Sequence, residues 1–344
     1  MRVTTALAIA LTGRSNVAAV LLCCFFFDSG LSYSDELNSL ARSAPACWTP
    51  DEFTAKPGEG EVRRPAPQVV PPIGELVESA PIRPSMRGSI RSVRLPAGRK
   101  LIALTFDLCE ALHEVAGYQG EIVDILRVND VKATFFMGGK WMLSHRQRAQ
   151  QLMSDPLFEV GNHTWAHRNL RLLTGSALTD EVKGAQIAYE LLRRELEDRQ
   201  CVRPGRGGGA HELAAKRLNL FRFPFGACDP NSLEEIGNLG LLAVQWDVSS
   251  DDPDLKQTPE LLTKKILEEV RPGSIVLFHA NGRGWYTDDA LPGIIAALKA
   301  RGYQFATVTE LLAAGEPVIR SSCYDRDPGD TDQYDELARH LEEQ

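Results

Sequence analysis

The chain has 344 residues, is 43% hydrophobic and carries a formal net charge of −8. That is enough apolar material for a full core, in one large or two smaller domains. The acidic balance and the lack of a basic stripe argue against nucleic acid as a partner.

The N-terminus reads as an export signal. Arg2 and Arg14 flank a polar break, an apolar run covers Val17 to Phe27, and small residues follow in Gly30-Leu31-Ser32-Tyr33-Ser34. Positive, apolar, then small is the secretory order. Cleavage is expected near residue 34, with the mature chain exported to the periplasm or the extracellular space. An uncleaved anchor is the alternative, for which the run is short. No later stretch approaches a membrane span, so none is expected in the mature chain. Beyond Cys23 and Cys24 the cysteines are Cys47, Cys109, Cys201, Cys228 and Cys323. Linking Cys47 to Cys323 would tie together the ends of the domain, and Cys201 with Cys228 is a second candidate bridge. An odd number leaves at least one thiol free or paired outside the chain.

Prolines crowd residues 56 to 86, which read as an extended linker or surface wrap. Residues 89–95 alternate like a half-buried strand, and 101–106 form a short apolar run typical of a buried one. A helix is expected over 117–129, a strand over 133–137, a helix over 144–155 and a short strand over 158–162. A long amphipathic helix follows over 176–198. Residues 203–212 are glycine-rich, lack the Gly-Lys-Ser/Thr ending of a phosphate loop and read as a surface insertion. Further expected elements are a strand over 220–224, helix 231–239, strand 242–248, helix 258–270, strand 274–279, helix 288–300 and strand 304–308. The acidic stretch after 324 reads as a surface helix or a partly disordered tail. Strand-helix repetition of this kind predicts parallel strands in a barrel-like or doubly wound α/β domain.

Chemistry-bearing residues follow the expected strands, where such folds carry their sites. Asp107 ends the first buried strand. His163 and His167 follow 158–162. They stand four apart, so one helical turn would bring both imidazoles to a single divalent metal, most often zinc. Arg222 opens Arg-Phe-Pro-Phe-Gly. Asp247, Asp251 and Asp252 follow 242–248, and His279 ends the strand before a glycine-rich loop that carries Trp285. Each has a plainer reading: Asp107 as a helix cap, Arg222 as a structural ion pair, His279 as a core residue, and the aspartates as a solvated turn.

Taken in order, Thr105-Phe106-Asp107, His163-Thr164-Trp165-Ala166-His167, Arg222-Phe223-Pro224-Phe225-Gly226, Trp246 with Asp252, and Val276-Leu277-Phe278-His279 resemble the motifs of the polysaccharide deacetylase family (carbohydrate esterase family four, the NodB homology domain). The resemblance covers about residues 100–315. It implies a distorted (β/α) barrel with fewer than eight repeats, acting on N-acetylglucosamine-type glycans as an amidohydrolase. With the segments read above, the chain is expected to divide into a signal peptide (1–34), a Pro-rich extension (35–99), the deacetylase-like domain (100–315) and an acidic tail (316–344). By the motif match, Asp107 is the general base and Arg222 its orienting partner. His279 protonates the leaving amine with Asp252 beside it, and the backbone N–H at Phe225 faces the oxyanion. Trp285 is the expected sugar contact. His163 and His167 hold a divalent metal, expected to be zinc, whose role is to polarise the carbonyl and acidify a water.

One departure stands out. The family reads Thr-Phe-Asp-Asp-Gly and takes its third metal ligand from the second Asp, where this chain has Leu108 in Thr-Phe-Asp-Leu-Cys-Glu. Glu110 is the preferred replacement, with Asp107 and Cys109 as alternatives. Pro253 stands where the family commonly has Trp. Two other functions stay open: a non-catalytic glycan-binding relative, and a carbohydrate O-acetyl esterase on the same fold.

Overall fold

The computed structural model describes residues 48–343 apart from 67, 68, 73, 75, 77, 78 and 200–213. The expected signal peptide, Cys47, Cys201 and the insertion 203–212 lie outside the described residues. Ten strands are laid out among them: β1 (Ser89–Arg94), β2 (Leu101–Leu108), β3 (Ala133–Met137), β4 (Phe158–Asn162), β5 (Leu220–Phe221), β6 (Leu242–Ala243), β7 (Val248–Ser249), β8 (Ile275–His279), β9 (Gln304–Phe305) and β10 (Glu316–Arg320). The helices between them are α1 (Gly120–Val128), α2 (Gly139–Ser144), α3 (Arg146–Ser154), α4 (Gly175–Glu197), α5 (Pro230–Asn238), α6 (Pro259–Glu269), α7 (Thr287–Ala300), α8 (Val308–Ala313) and α9 (Tyr334–Glu343).

The main sheet runs β6-β5-β4-β3-β2-β8-β7, with β9 also on β2, and its pairings are parallel. Its two edges, β6 and β7, are successive pieces of the single segment 242–249. The sheet therefore curls back on itself, and the expected distorted (β/α) barrel is what the chain forms. Sequence periodicity reads 242–248 as one strand. The split arises because the segment leaves β5, crosses the closing gap and joins β8. There the Gln245 N–H donates to Ile90 O at 2.8 Å, so β1 plugs the seam.

Alternation along β2 sorts the core into two layers. Ile102, Leu104, Phe106 and Leu108 face the helices, where Phe106 stacks between Phe135 and Phe278 with both centroids at 5.3 Å. Leu101 and Ala103 face the barrel interior with Phe136, Val244, Trp246 and Leu277. Each large apolar side chain buried this way contributes about 1.5–3 kcal/mol. Helix starts follow local chemistry. Asp229 caps α5 by accepting from the Ser232 N–H at 2.8 Å, with Pro230 in the first turn. Thr307 and Glu310 form a capping box that starts α8 where the apolar pattern alone extends a strand to 308.

Three further features differ from the pattern-based expectation. The helix expected over 144–155 is α3, and a further helix outside the expectation, α2, precedes it with a break at His145. Residues 316–320 pair with β1 in antiparallel fashion rather than opening a tail. Cys228 bonds to Cys323, so neither bridge proposed from spacing forms with those partners. Beyond that bond, α9 is docked by Arg171, whose guanidinium donates to Asp335 at 2.6 Å, and by the Asn169 amide at 2.8 Å.

Candidate metal and active site

The C-terminal ends of β2, β4 and β8 and the loops after β5 and β7 surround one cleft of about 720 Å³. Asp107, Cys109, His167, Phe225, Trp246, Asp252, His279 and Arg283 line it. Tyr334, Leu337 and Ala338 of α9 add a wall that the acidic sequence of this segment does not announce. Apolar residues on one face of that helix are the available signal.

Asp107 is 4% exposed. Its Oδ1 accepts from Arg222 Nη1 at 2.8 Å, a buried charge-assisted pair. Arg222 is itself fixed by donating through Nε and Nη2 to the carbonyls of Val244 and Gln245, at 3.2 and 3.1 Å. The arginine thus ties the β5 loop to the barrel seam and aims the aspartate.

His163 and His167 do not sit on a helical turn. They lie in the loop after β4, where Thr164 (φ 65°) and His167 (φ 56°) both take left-handed backbone. Such residues cost about 1–3 kcal/mol each and persist where surrounding structure imposes them. The two rings stand 5.0 Å apart between centroids, so the pair converges by loop geometry instead of helical spacing. His163 Nδ1 lies 2.9 Å from the Arg222 carbonyl, an acceptor only, which fixes the proton on Nδ1. Its Nε2 is then a bare lone pair. That atom is buried with no hydrogen-bond partner and lies 3.4 Å from Asp107 Oδ2. Two acceptors facing each other in a buried site call for a cation between them. Burial holds His163 below the usual histidine pKa despite Asp107. It holds His167 well below, with His163 adding to the effect. Burial thus favours the neutral form of both, the form that ligates metal.

Across the cleft, burial opposes charge on His279, but Asp252 overcomes it and raises the His279 pKa. The Asp252 carboxylate is fully buried and accepts from the His279 backbone N–H at 2.7 Å and from the Thr287 hydroxyl at 2.8 Å. Its other oxygen lies 2.8 Å from His279 Nδ1. Phe225 takes φ 59° at the cleft wall, with its ring 4.6 Å from that of His167 and 5.9 Å from Tyr334. Trp285 is 41% exposed and is not among the residues lining the cleft, although its backbone N–H donates to the Asp252 carbonyl at 2.9 Å.

Glu110, the preferred third ligand, is not brought to the histidines. It is 1% exposed and turns to the helix side, following Leu108 by alternation. There it accepts from Ser144 Oγ at 2.7 Å and the Ala116 N–H at 3.0 Å, with Lys140 Nζ at 3.4 Å. Cys109 falls on the other face, that of Asp107. The ligand atoms of Cys109, His163 and His167 all lie within 4.8 Å of one another. Burial pushes the Cys109 thiol up to about 12, so it is protonated unless a cation displaces the proton.

Residues 94–244 match the polysaccharide deacetylase family model. Among curated proteins, the chain is similar to a chitooligosaccharide deacetylase of Azorhizobium caulinodans. The two are 28% identical over 225 residues, which cover 62% of this chain and 95% of the relative. It is similar also to a peptidoglycan-N-acetylglucosamine deacetylase of Listeria monocytogenes, 27% identical over 65% of this chain and only 41% of that longer protein. Among solved structures, a CE4 family pseudoenzyme from Bacillus anthracis superposes with a TM-score of 0.51 at 25% identity, covering 66% of this chain and 69% of that one.

Proposed function

From the match of residues 94–244 to the polysaccharide deacetylase family, we propose that this chain is an exported, metal-dependent hydrolase that removes N-acetyl groups from an N-acetylglucosamine-containing glycan. One observation carries the reading: a buried, partnerless His163 Nε2 faces Asp107 beside His167, with the His279–Asp252 pair on the far wall of the same cleft. The donor set fits a divalent transition metal, with zinc the expected ion, gripped by His163 and His167. Bound there, the ion would polarise the acetamide carbonyl and lower the pKa of a water.

The rest is the work of the chain. Asp107, held by Arg222, takes the proton from the attacking water as general base. As the carbonyl carbon becomes tetrahedral, the backbone N–H at Phe225, on its left-handed turn, faces the developing oxyanion. His279, whose charged form Asp252 favours, gives its proton to the sugar amine as the C–N bond breaks. Acetate and the free amine are the products. Export is supported by the Cys228–Cys323 disulfide, since such bonds persist in oxidising compartments. No helix among the described residues is long and apolar enough to cross a membrane.

A second reading rests on Leu108, which stands where the family has a metal-binding carboxylate: a relative that binds glycan without cleaving it. Acetate release from N-acetylglucosamine oligomers, with added zinc or cobalt, separates the two. The hydrolase reading predicts release that is lost in His279→Ala; no release from the unmodified protein sinks it for that substrate class.

A further inference from the structure

We propose that Cys109 is the third protein ligand, so that one thiolate and two imidazoles hold the metal here in place of the family's one carboxylate and two imidazoles. The inference rests on the metal-dependent reading above and adds to it the ligand that Leu108 removed.

Strand β2 runs unbroken through Leu108, so alternation puts Leu108 in the helix-facing core and returns Cys109 to the face of Asp107. A carboxylate at 108 in this register would point away from the histidines, and Glu110 does point away. Cys109 is the residue whose ligand atom joins those of His163 and His167 within 4.8 Å. Neighbouring ligand atoms on tetrahedral zinc stand roughly 3.3–3.8 Å apart, given Zn–N and Zn–S bond lengths. The group therefore needs only small side-chain adjustments to close.

Two independent observations point to an ion. His163 Nε2 is buried, has no hydrogen-bond partner and faces this group. The Cys109 sulfur also has its own outer partner. The buried Asn281 amide donates to Cys109 Sγ at 3.1 Å and to its carbonyl at 2.9 Å. Metal ligands are typically held by such second partners. His163 has the matching device in its Nδ1–H bond to the Arg222 carbonyl. Asp107 is the rival ligand: Arg222 takes its Oδ1, but its Oδ2 stays 3.4 Å from His163 Nε2, so the test includes an Asp107 variant.

A thiolate with two imidazoles favours zinc or cobalt over magnesium or calcium. The test uses the full chain, stripped with a chelator and reloaded with cobalt(II). One cobalt per chain is expected, with visible d–d bands and an intense near-ultraviolet sulfur-to-cobalt charge-transfer band. Cys109→Ser should abolish that band and weaken zinc binding by more than the roughly 10–100-fold typical of losing an outer partner. Asp107→Asn and Glu110→Gln should keep the band. Cobalt bound without the band, or a band that survives in Cys109→Ser, overturns the assignment of Cys109 while leaving the histidine site standing. Failure of the unmodified chain to bind cobalt, or undiminished binding in His163→Ala, overturns the metal reading beneath it.

Discussion

The two sides of the cleft are built differently. On one side, Arg222, His163, Asp252 and His279 follow strands β5, β4, β7 and β8, and each is fixed by bonds to neighbouring backbone or to a motif partner. On the other, the loop after β2 is rebuilt. Leu108 has gone into the core, Cys109 faces the site, and Glu110 is buried in a separate polar knot. There Lys140 Nζ donates to the carbonyls of Ala111, Leu112 and Glu114 at 2.6, 2.9 and 2.5 Å and approaches Glu110. The groups proposed for proton transfer are thus fixed by their strands and partners, while the chain after β2 turns its carboxylate away from the histidines. The residue that replaces a ligand in sequence need not replace it in space.

The largest effects are expected on the retained side. Asp107→Asn and His279→Ala should each lower kcat by about 10²–10⁴-fold, the contribution of one positioned proton-transfer group. Both should bind cobalt in full stoichiometry. A loss of less than tenfold for either, measured as acetate release, would mean the frame is retained for shape and not for chemistry.

The rebuilt side is expected to show its effect in stability. Lys140→Met leaves Glu110 buried without its counter-charge and takes a donor from three carbonyls, of which Ala111 alone keeps a backbone partner, the Glu114 N–H. Removing one partner of a buried pair costs about 3–5 kcal/mol, to be read as a shift of the urea midpoint. Glu110→Gln keeps the Ser144 contact and should cost only about 1–2 kcal/mol, with zinc content unchanged. Loss of zinc in that variant would restore Glu110 as the ligand.

This contrast also marks what the sequence makes legible. Asp107, Arg222 and His279 are readable because each ends or follows a strand defined by its own apolar run. The parallel barrel is readable because helix and strand periods alternate from residue 101 onward. The placement of Cys109, and not Glu110, on the face of Asp107 is within reach as well: counting by two from the apolar faces of 101–106 puts 107 and 109 together. Ranking candidate ligands by type and proximity, instead of by face, selects Glu110, whose carboxylate lies on Ser144 and the Ala116 N–H. The left-handed residues Thr164 and His167 have no local signature, since neither is glycine. The pairing of Cys228 with Cys323 and the docking of α9 depend on contacts more than 90 residues apart in the chain, which no local pattern encodes.

That docking joins the two sides from outside. The bond between Cys228 and Cys323 holds the start of the segment that brings Tyr334, Leu337 and Ala338 to the cleft. Changing both cysteines to alanine should cost about 2–4 kcal/mol and raise KM more than it lowers kcat, because a wall is loosened while the proton-transfer groups stay fixed. Equal losses in kcat would place α9 in the chemistry.

The smallest expected effect is a displacement of the pH profile. His279 must be protonated to act as an acid, so activity should fall as pH rises through its raised pKa. Asp252 is the group that raises that pKa against burial, and Asp252→Asn should move the alkaline limb to lower pH. The sign carries over to stability. A histidine whose folded pKa lies above its unfolded value contributes stability that is fully present below the unfolded value and is lost as pH rises through the folded one. His163 and His167 behave oppositely: with pKa values held down by burial, they favour the folded state above the usual histidine range and lose that advantage as pH falls. In the metal-free protein the loss of stability at acid pH therefore reports on His163 and His167, and the alkaline limb of activity on His279. Asp252→Asn should move the alkaline limb alone. Movement of both limbs together would mean that the histidine pair and His279 titrate as one unit.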